Sequence, residues 1–203
     1  MAVICKPNCV TALPNFAAVD DCDLLASFTS GEIAVILFMK CNLEFTDIDD
    51  ANEWETNITN GDITIPFAGN GKIDEQAESG EMRIKCTTVS TVQRKPFEFT
   101  SPIVDNVAQT EWDKYNSIMK QRLGLVVAFL TCDNILLISP DWVSGEVPGL
   151  GLSSLKVSQI FSGEADGKMT YKINGEIAES RSLKRVKLSP ETVEILTSTN
   201  TGS

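Results

Sequence analysis

The side chains best suited to chemistry here are carboxylates and cysteines, because histidine is absent from all 203 positions. Without imidazole the chain lacks the commonest general base and metal ligand, and no Ser–His or Cys–His nucleophile can be assembled. The densest acidic run, Asp47-Ile-Asp49-Asp50-Ala-Asn-Glu53, has the outline of a calcium loop. An EF-hand would need an oxygen ligand at Ala51, glycine at Asn52 and glutamate at Ile58, so three positions fail. Carboxylates at that place suit a helix start instead, where they meet the positive end of the dipole. Pro148-Gly-Leu-Gly-Leu152 holds a GxG but no GxGxxG. Gly71-Lys72 and Gly167-Lys168 lack the Ser or Thr of a phosphate loop, and no G-x-S-x-G elbow occurs. Among 28 carboxylates, spacing singles out no glycosidase-type pair. The expectation is a protein without catalytic residues or cofactor.

Four cysteines run Cys5-x3-Cys9-x12-Cys22-x18-Cys41. A structural zinc site usually brings two close pairs, and only Cys5 and Cys9 form one. These four are therefore weak metal candidates, expected as reduced thiols, with a disulfide as the other alternative. Cys86 and Cys132 fall in strand-like stretches as small hydrophobes.

Charge is distributed unevenly. Residues 1–78 carry 14 Asp and Glu against Lys6, Lys40 and Lys72, and the rest of the chain is neutral, so all of the net −11 lies in that first part. Such a surface repels nucleic acid, since tight binding needs basic groups that displace counterions. Asp20, Asp21, Asp23, Asp47, Asp49, Asp50, Glu53, Glu55 and Asp62 form the expected acidic patch. It should face solvent or a channel, because unpaired carboxylates are costly to desolvate. Arg181-Ser-Leu-Lys184-Arg185-Val-Lys187 alternates like an exposed edge strand, where lysine discourages wrong pairing. Arg181, Lys184, Arg185 and Lys187, with Trp54 and Trp142, are the candidate interface residues.

The elements that must position these groups are mostly strands. Ile33–Met39 and Leu125–Leu130 are continuous apolar runs suited to strands buried on both faces, and far shorter than the ~18–20 residues of a membrane span. Lys6 and Pro7 interrupt any signal-peptide core, so use without export is expected. Asp50 and Glu53 form a capping box for a short helix that ends at Asn60-Gly61. Ile63–Ile65 is a short strand, Gly69–Gly80 a polar loop, and Met82–Gln93 an alternating strand that Phe97 and Phe99 extend. A second helix spans Asp105–Leu123. Leu125–Leu130 and Ile135–Ile138 are strands joined by a turn at 131–134. Trp142–Leu152 is a Gly/Pro-rich loop. A hairpin follows at 155–162 and 168–173 around Gly163–Gly167, with Asn174-Gly175 as a turn or bulge signal. Ser189 caps a last helix with Pro190 in its first turn. The division is a loop-rich arm at 1–31, a β-rich domain at 32–196 with a sub-boundary near 69–80, and a loose tail at 197–203. The fold class is mainly β with two or three short helices (α+β), a β-sandwich or β-barrel with a flanking helix.

From about Lys95 to Leu196 the order of elements resembles structural proteins of tailed bacteriophages, particularly the tail-tube-like and neck-ring group. Phe97-Glu-Phe99 leads into the helix with Glu111-Trp112, then Leu125–Phe129, the turn Thr131-Cys-Asp-Asn134, and Ile135–Ile138. The paired Leu155–Ile160 and Met169–Ile173 and the Ser189-Pro190-Glu191 segment complete it. The resemblance implies a tail-tube-like fold and a non-enzymatic subunit in a homo-oligomeric ring of the neck or tail. Its partners would be copies of itself and adjacent virion proteins, with DNA passing an acidic lumen without specific binding and no membrane. Its place would be the virion, assembled in the bacterial host cytoplasm. The alternative is a monomeric β-barrel or sandwich that binds a small ligand or a protein.

Overall fold

The computed structural model describes residues 32–64, 68–74, 78–84, 88–101, 109–120, 124–161 and 169–197. Among the described residues the order is β1 (Ile33–Lys40), α1 (Ala51–Thr59), β2 (Ile63–Thr64), β3 (Ala68–Ile73), β4 (Glu78–Ile84) and β5 (Thr88–Ser101). Then come α2 (Gln109–Lys120), β6 (Leu125–Thr131), β7 (Ile135–Ile138), β8 (Leu150–Phe161), β9 (Met169–Ile177), β10 (Lys184–Lys187) and α3 (Pro190–Thr197). The chain is mainly β with short helices, and the architecture is a closed antiparallel barrel of six strands. Around it run β1, β6, β8, β9, β5 and β3, with β3 returning to β1. β7 and β10 extend the sheet beyond β6 as a flange.

The two apolar runs become β1 and β6, paired with each other and buried on both faces. On β6, Leu125, Val127 and Phe129 fill the barrel while Val126, Ala128 and Leu130 face a second core outside it. β1 does the same only because its register slips at Ala34: Ile33 pairs Thr131 but Val35 pairs Leu130. That extra residue is a bulge. It sends Ile33, Ile36 and Phe38 inward, and Val35, Leu37 and Met39 outward. α1, α3 and the loops around Phe45 and Trp142 cover the outer core. Trp54 is fully buried there, its ring centroid 4.4 Å from that of Phe45 and its Nε1–H donating to the Ile48 carbonyl at 2.8 Å.

α1 and α3 begin as their sequences dictate. Asp50 caps α1 by accepting from the Asn52 N–H at 2.9 Å, and Gly61 takes the left-handed φ of 72° just past its end. Glu53 does not close the expected capping box: the Asp50 N–H bonds the Asp47 carbonyl, and the Glu53 carboxylate reaches Thr46 and Asp47 instead. Ser189 caps α3 through Thr192. α2 brings Ile118 into the barrel core and packs against β8. The barrel wall is thinnest between β6 and β8, which pair only at Val126–Gly151 and Val127–Leu150.

Two stretches that read as loop or turn are strand. Gly69 and Gly71, expected in a polar loop over 69–80, lie in β3, and Asn174-Gly175 lies inside β9. The reason is the pair of phenylalanines on β5. Phe97 stands between Ile73 and Gly175, Phe99 between Gly71 and Ile173, so each ring has one aliphatic and one glycine neighbour. A Cβ on Gly175 would sit 2.5 Å from Phe97 Cζ, and one on Gly71 2.7 Å from Phe99 Cδ2. The glycines are there for ring volume, not for turning. Across the barrel, Phe97 meets Phe129 edge-on with centroids 5.1 Å apart.

The expected single strand over 82–93 is a hairpin of β4 and β5. Its registers, from Glu78–Arg94 to Ile84–Thr88, pair residues of equal parity, so the alternation runs through the connection without a break. β3 and β4 both pair with β5. The base of this long hairpin belongs to the barrel, and β4 with Thr88–Arg94 projects past the point where β9 pairing ends at Lys95–Ile177. The Gly/Pro-rich loop expected to reach Leu152 stops where β8 begins at Leu150. It is tied to its own chain by the Phe45–Glu146 bridge and by Ser144, which donates to the Thr46 carbonyl.

Gly175→Ala and Gly71→Ala are each expected to destabilise the fold by about 1–3 kcal/mol through overpacking. Gly151→Ala, whose Cβ would meet nothing within 4 Å, should change stability by less than about 1 kcal/mol. Chemical denaturation of the three variants tests this, and equal effects at all three positions would refute the ring-volume account.

Candidate functional site

The acidic patch lies on the layer outside the second core, and its carboxylates serve mainly the local backbone. Glu53 accepts from the N–H groups of Thr46 and Asp47 at 2.9 and 3.1 Å, and Asp47 accepts from Asp49 N–H at 3.0 Å. Asp49 joins the two helix starts: its carboxylate accepts from Ser189 N–H at 2.7 Å and its carbonyl from the Thr192 hydroxyl at 2.8 Å. Asp62 pairs with Lys40 at 2.5 Å. Asp47, Asp50 and Glu55 are exposed, while Asp49, Glu53 and Asp62 are half-buried. No group of three or more Cys, Asp or Glu could hold a metal ion among the described residues. Asp20, Asp21 and Asp23 lie outside the described residues.

Cys41 is buried at the end of β1 and is disulfide-bonded, against the expected reduced thiol. The zinc-spacing rule carries no information on a disulfide, which needs only a close approach of two Cα atoms. Cys5, Cys9, Cys22 and Cys86 lie outside the described residues. Cys132 is free and half-buried in the turn after β6, not within a strand. Burial, with Glu32 and Asp133 nearby, pushes its thiol up, which makes it a poor nucleophile at neutral pH.

The basic stretch and Trp142 are occupied within the chain. The Arg181 guanidinium grips Asp141 with two bonds of 2.5 and 2.7 Å and Glu179 with two of 3.1 Å. Lys184 donates to the Trp142 carbonyl at 2.9 Å and lies 4.9 Å from the centre of its ring. Trp142 Nε1–H donates to the Glu146 carbonyl at 3.0 Å. Lys187 donates to the Asp133 carbonyl, and Arg185 is exposed on β10. Arg181 itself stands outside the strand, in the segment leading to β10. Thus Trp142, Arg181, Lys184 and Lys187 fasten the 139–149 loop and the β6–β7 turn to the segment around β10.

Sequence reasoning missed Lys95, Asp141 and Glu179. Lys95 is 1% exposed and donates to the Arg181 carbonyl at 2.7 Å, anchoring that segment from inside the barrel end. Its signal was parity: it stands two residues before Phe97 and four before Phe99, on the inward side of β5. Hydrogen bonds from Arg181 hold the Asp141 carboxyl far below the usual carboxylate range. Burial pushes Glu179 up, but hydrogen bonds from the Arg181 side chain and backbone outweigh it and leave the carboxyl lowered. On the barrel wall, the Lys172 hydrogen bond and charge, with Lys72, lower Glu98.

The remaining feature is an edge. Among the described residues β4 pairs with β5 only, leaving the whole outer side of the projecting ribbon open.

No family model matches this chain, and no curated protein does. Among solved structures, a chain of the "Virion of native gene transfer agent (GTA) particle" aligns over 58% of this chain and 82% of its own length. The identity is 15% and the TM-score 0.25. A score that low carries no argument for a shared fold or role.

The three lowered carboxyls give a sign for acid behaviour. A folded pKa below the unfolded one contributes stability above the ordinary carboxylate range, about pH 4, and loses it as pH falls through the folded value. The thermal midpoint should therefore drop below about pH 4. Asp141→Asn should lower it at pH 7 and flatten the acid limb. A variant whose midpoint follows the wild type at every pH would show that the Arg181 clamp is thermodynamically idle.

Proposed function

We propose that this protein is a non-enzymatic structural subunit of a tailed-phage-like virion, forming a homo-oligomeric ring in the neck or tail around the DNA channel. One observation carries the reading. The fold completes its core within a closed barrel yet projects a two-stranded ribbon, β4 with the first half of β5, whose outer edge is unpaired among the described residues. Isolated ribbons are marginal in water, so such an arm is best explained by a neighbour. The resemblance in element order from Lys95 to Leu196 supports the same class. The acidic layer over α1 and α3 suits a wall along which DNA slides, because like charge prevents counterion-releasing contacts.

A ligand-binding monomer is the weaker reading. Phe38, Phe97, Phe99, Phe129 and Tyr171 are all fully buried in the barrel interior. An eight-stranded barrel is just wide enough for side chains to fill it or for one small ligand, and six strands enclose less. That interior is a packed core, not a binding cup.

Electron micrographs of the purified protein are expected to show rings with a central hole. Duplex DNA should not be retained in gel-shift assays even at low salt, where electrostatic binding is strongest. A protein that stays ringless at high concentration and is absent from particles would remove this reading.

A further inference from the structure

Natural sheets guard their open edges by shortness, by charged side chains (lysine above all), by proline, or by a covering element. β2 is two residues long, and β10 is four residues with Lys184 and Lys187 at its ends. β8 has α2 packed against it. β4 is guarded least: among the described residues it has no covering element, and it is a seven-residue strand, Glu78-Ser-Gly-Glu-Met-Arg-Ile84, without lysine or proline and with charges of both signs, on a ribbon that runs on past the end of the β9 pairing.

We propose that β4 pairs edge to edge with β4 of a second copy, antiparallel and centred on Met82. That register sets Glu81 opposite Arg83 of the second copy and Arg83 opposite its Glu81, with Gly80 facing Ile84 on either side. The order Glu-Met-Arg is what makes the strand self-complementary. Centring on Glu81 would oppose glutamate to glutamate, and centring on Arg83 arginine to arginine; like charges directly opposite are unfavourable. Charge thus selects one register of three. Gly80 fits it too, since glycine within a strand often marks where another backbone comes close. The product is a four-stranded sheet, β5-β4-β4-β5, in place of two ribbons that are marginal alone. The contact is isologous and closes with two copies, so within a ring it would join one ring to a second and leave the contacts around each ring to other surfaces.

Full-length protein and the variants Glu81→Arg, Arg83→Glu and the double exchange are compared by sedimentation velocity and native mass spectrometry, with circular dichroism to check that each folds. The wild type should form even-numbered species, either dimers or paired rings. Each single variant opposes like charges twice and should associate about 10- to 100-fold more weakly. The double exchange restores opposite charges and should recover wild-type association. Mixing the two single variants should give a one-to-one heterodimer that neither forms alone. A monomeric wild type, single variants with wild-type mass, or a mixture that fails to combine would each overturn the proposal. Charge-dependent pairs without rings in micrographs would sink only the ring reading, and rings indifferent to these substitutions would sink only the β4 pairing.

Discussion

The ladder between β1 and β6 is the constraint on which everything else rests. It closes the barrel, and its two faces are the floor of both cores. Neither strand has a side to give to water, so helices and loops must cover the outer face once the barrel has claimed the inner one. The α1–α3 layer follows from that demand. So does the bulge at Ala34, without which Ile33 and the residues after Ile36 could not all serve their present cores. The acidic residues of the layer can remain at the surface because apolar contacts of Trp54, Phe45, Ile48 and Leu196 already hold the helices down.

Legibility in the sequence followed the range of the interactions. Ile33–Met39 and Leu125–Leu130 announce themselves because burial on both faces leaves no polar position. The α1 start at Asp50, the stop at Gly61 and the α3 start at Ser189 are readable because capping chemistry acts within four residues. Gly69, Gly71 and Gly175 were misread because their meaning lies on another strand, in Phe97 and Phe99. The hairpin at 84–88 was invisible because its registers preserve parity, so two strands carry the signature of one.

The candidate site divides the same way. Surface placement of Asp47, Asp50 and Glu55 follows from charge alone. The ties of Arg181 to Asp141 and of Lys95 to the Arg181 carbonyl span 40 and 86 residues, and no local pattern encodes such pairings. The basic stretch looked like a free surface because its partners, Asp141, Trp142 and Asp133, lie one or more elements upstream. A charge run read without its fold is a count of charges, not of available ones.

The β1–β6 ladder also fixes an order of events during synthesis. β1 can meet β2 and β3 as soon as β3 is made, but its other edge waits for Leu125–Thr131. At about 5–20 residues per second that delay is on the order of 3–12 s. For that interval β1 stands with one edge unpaired and its outer-core cover incomplete, since α3 follows every described strand. Translation rate and chaperone supply therefore bear on yield through β1.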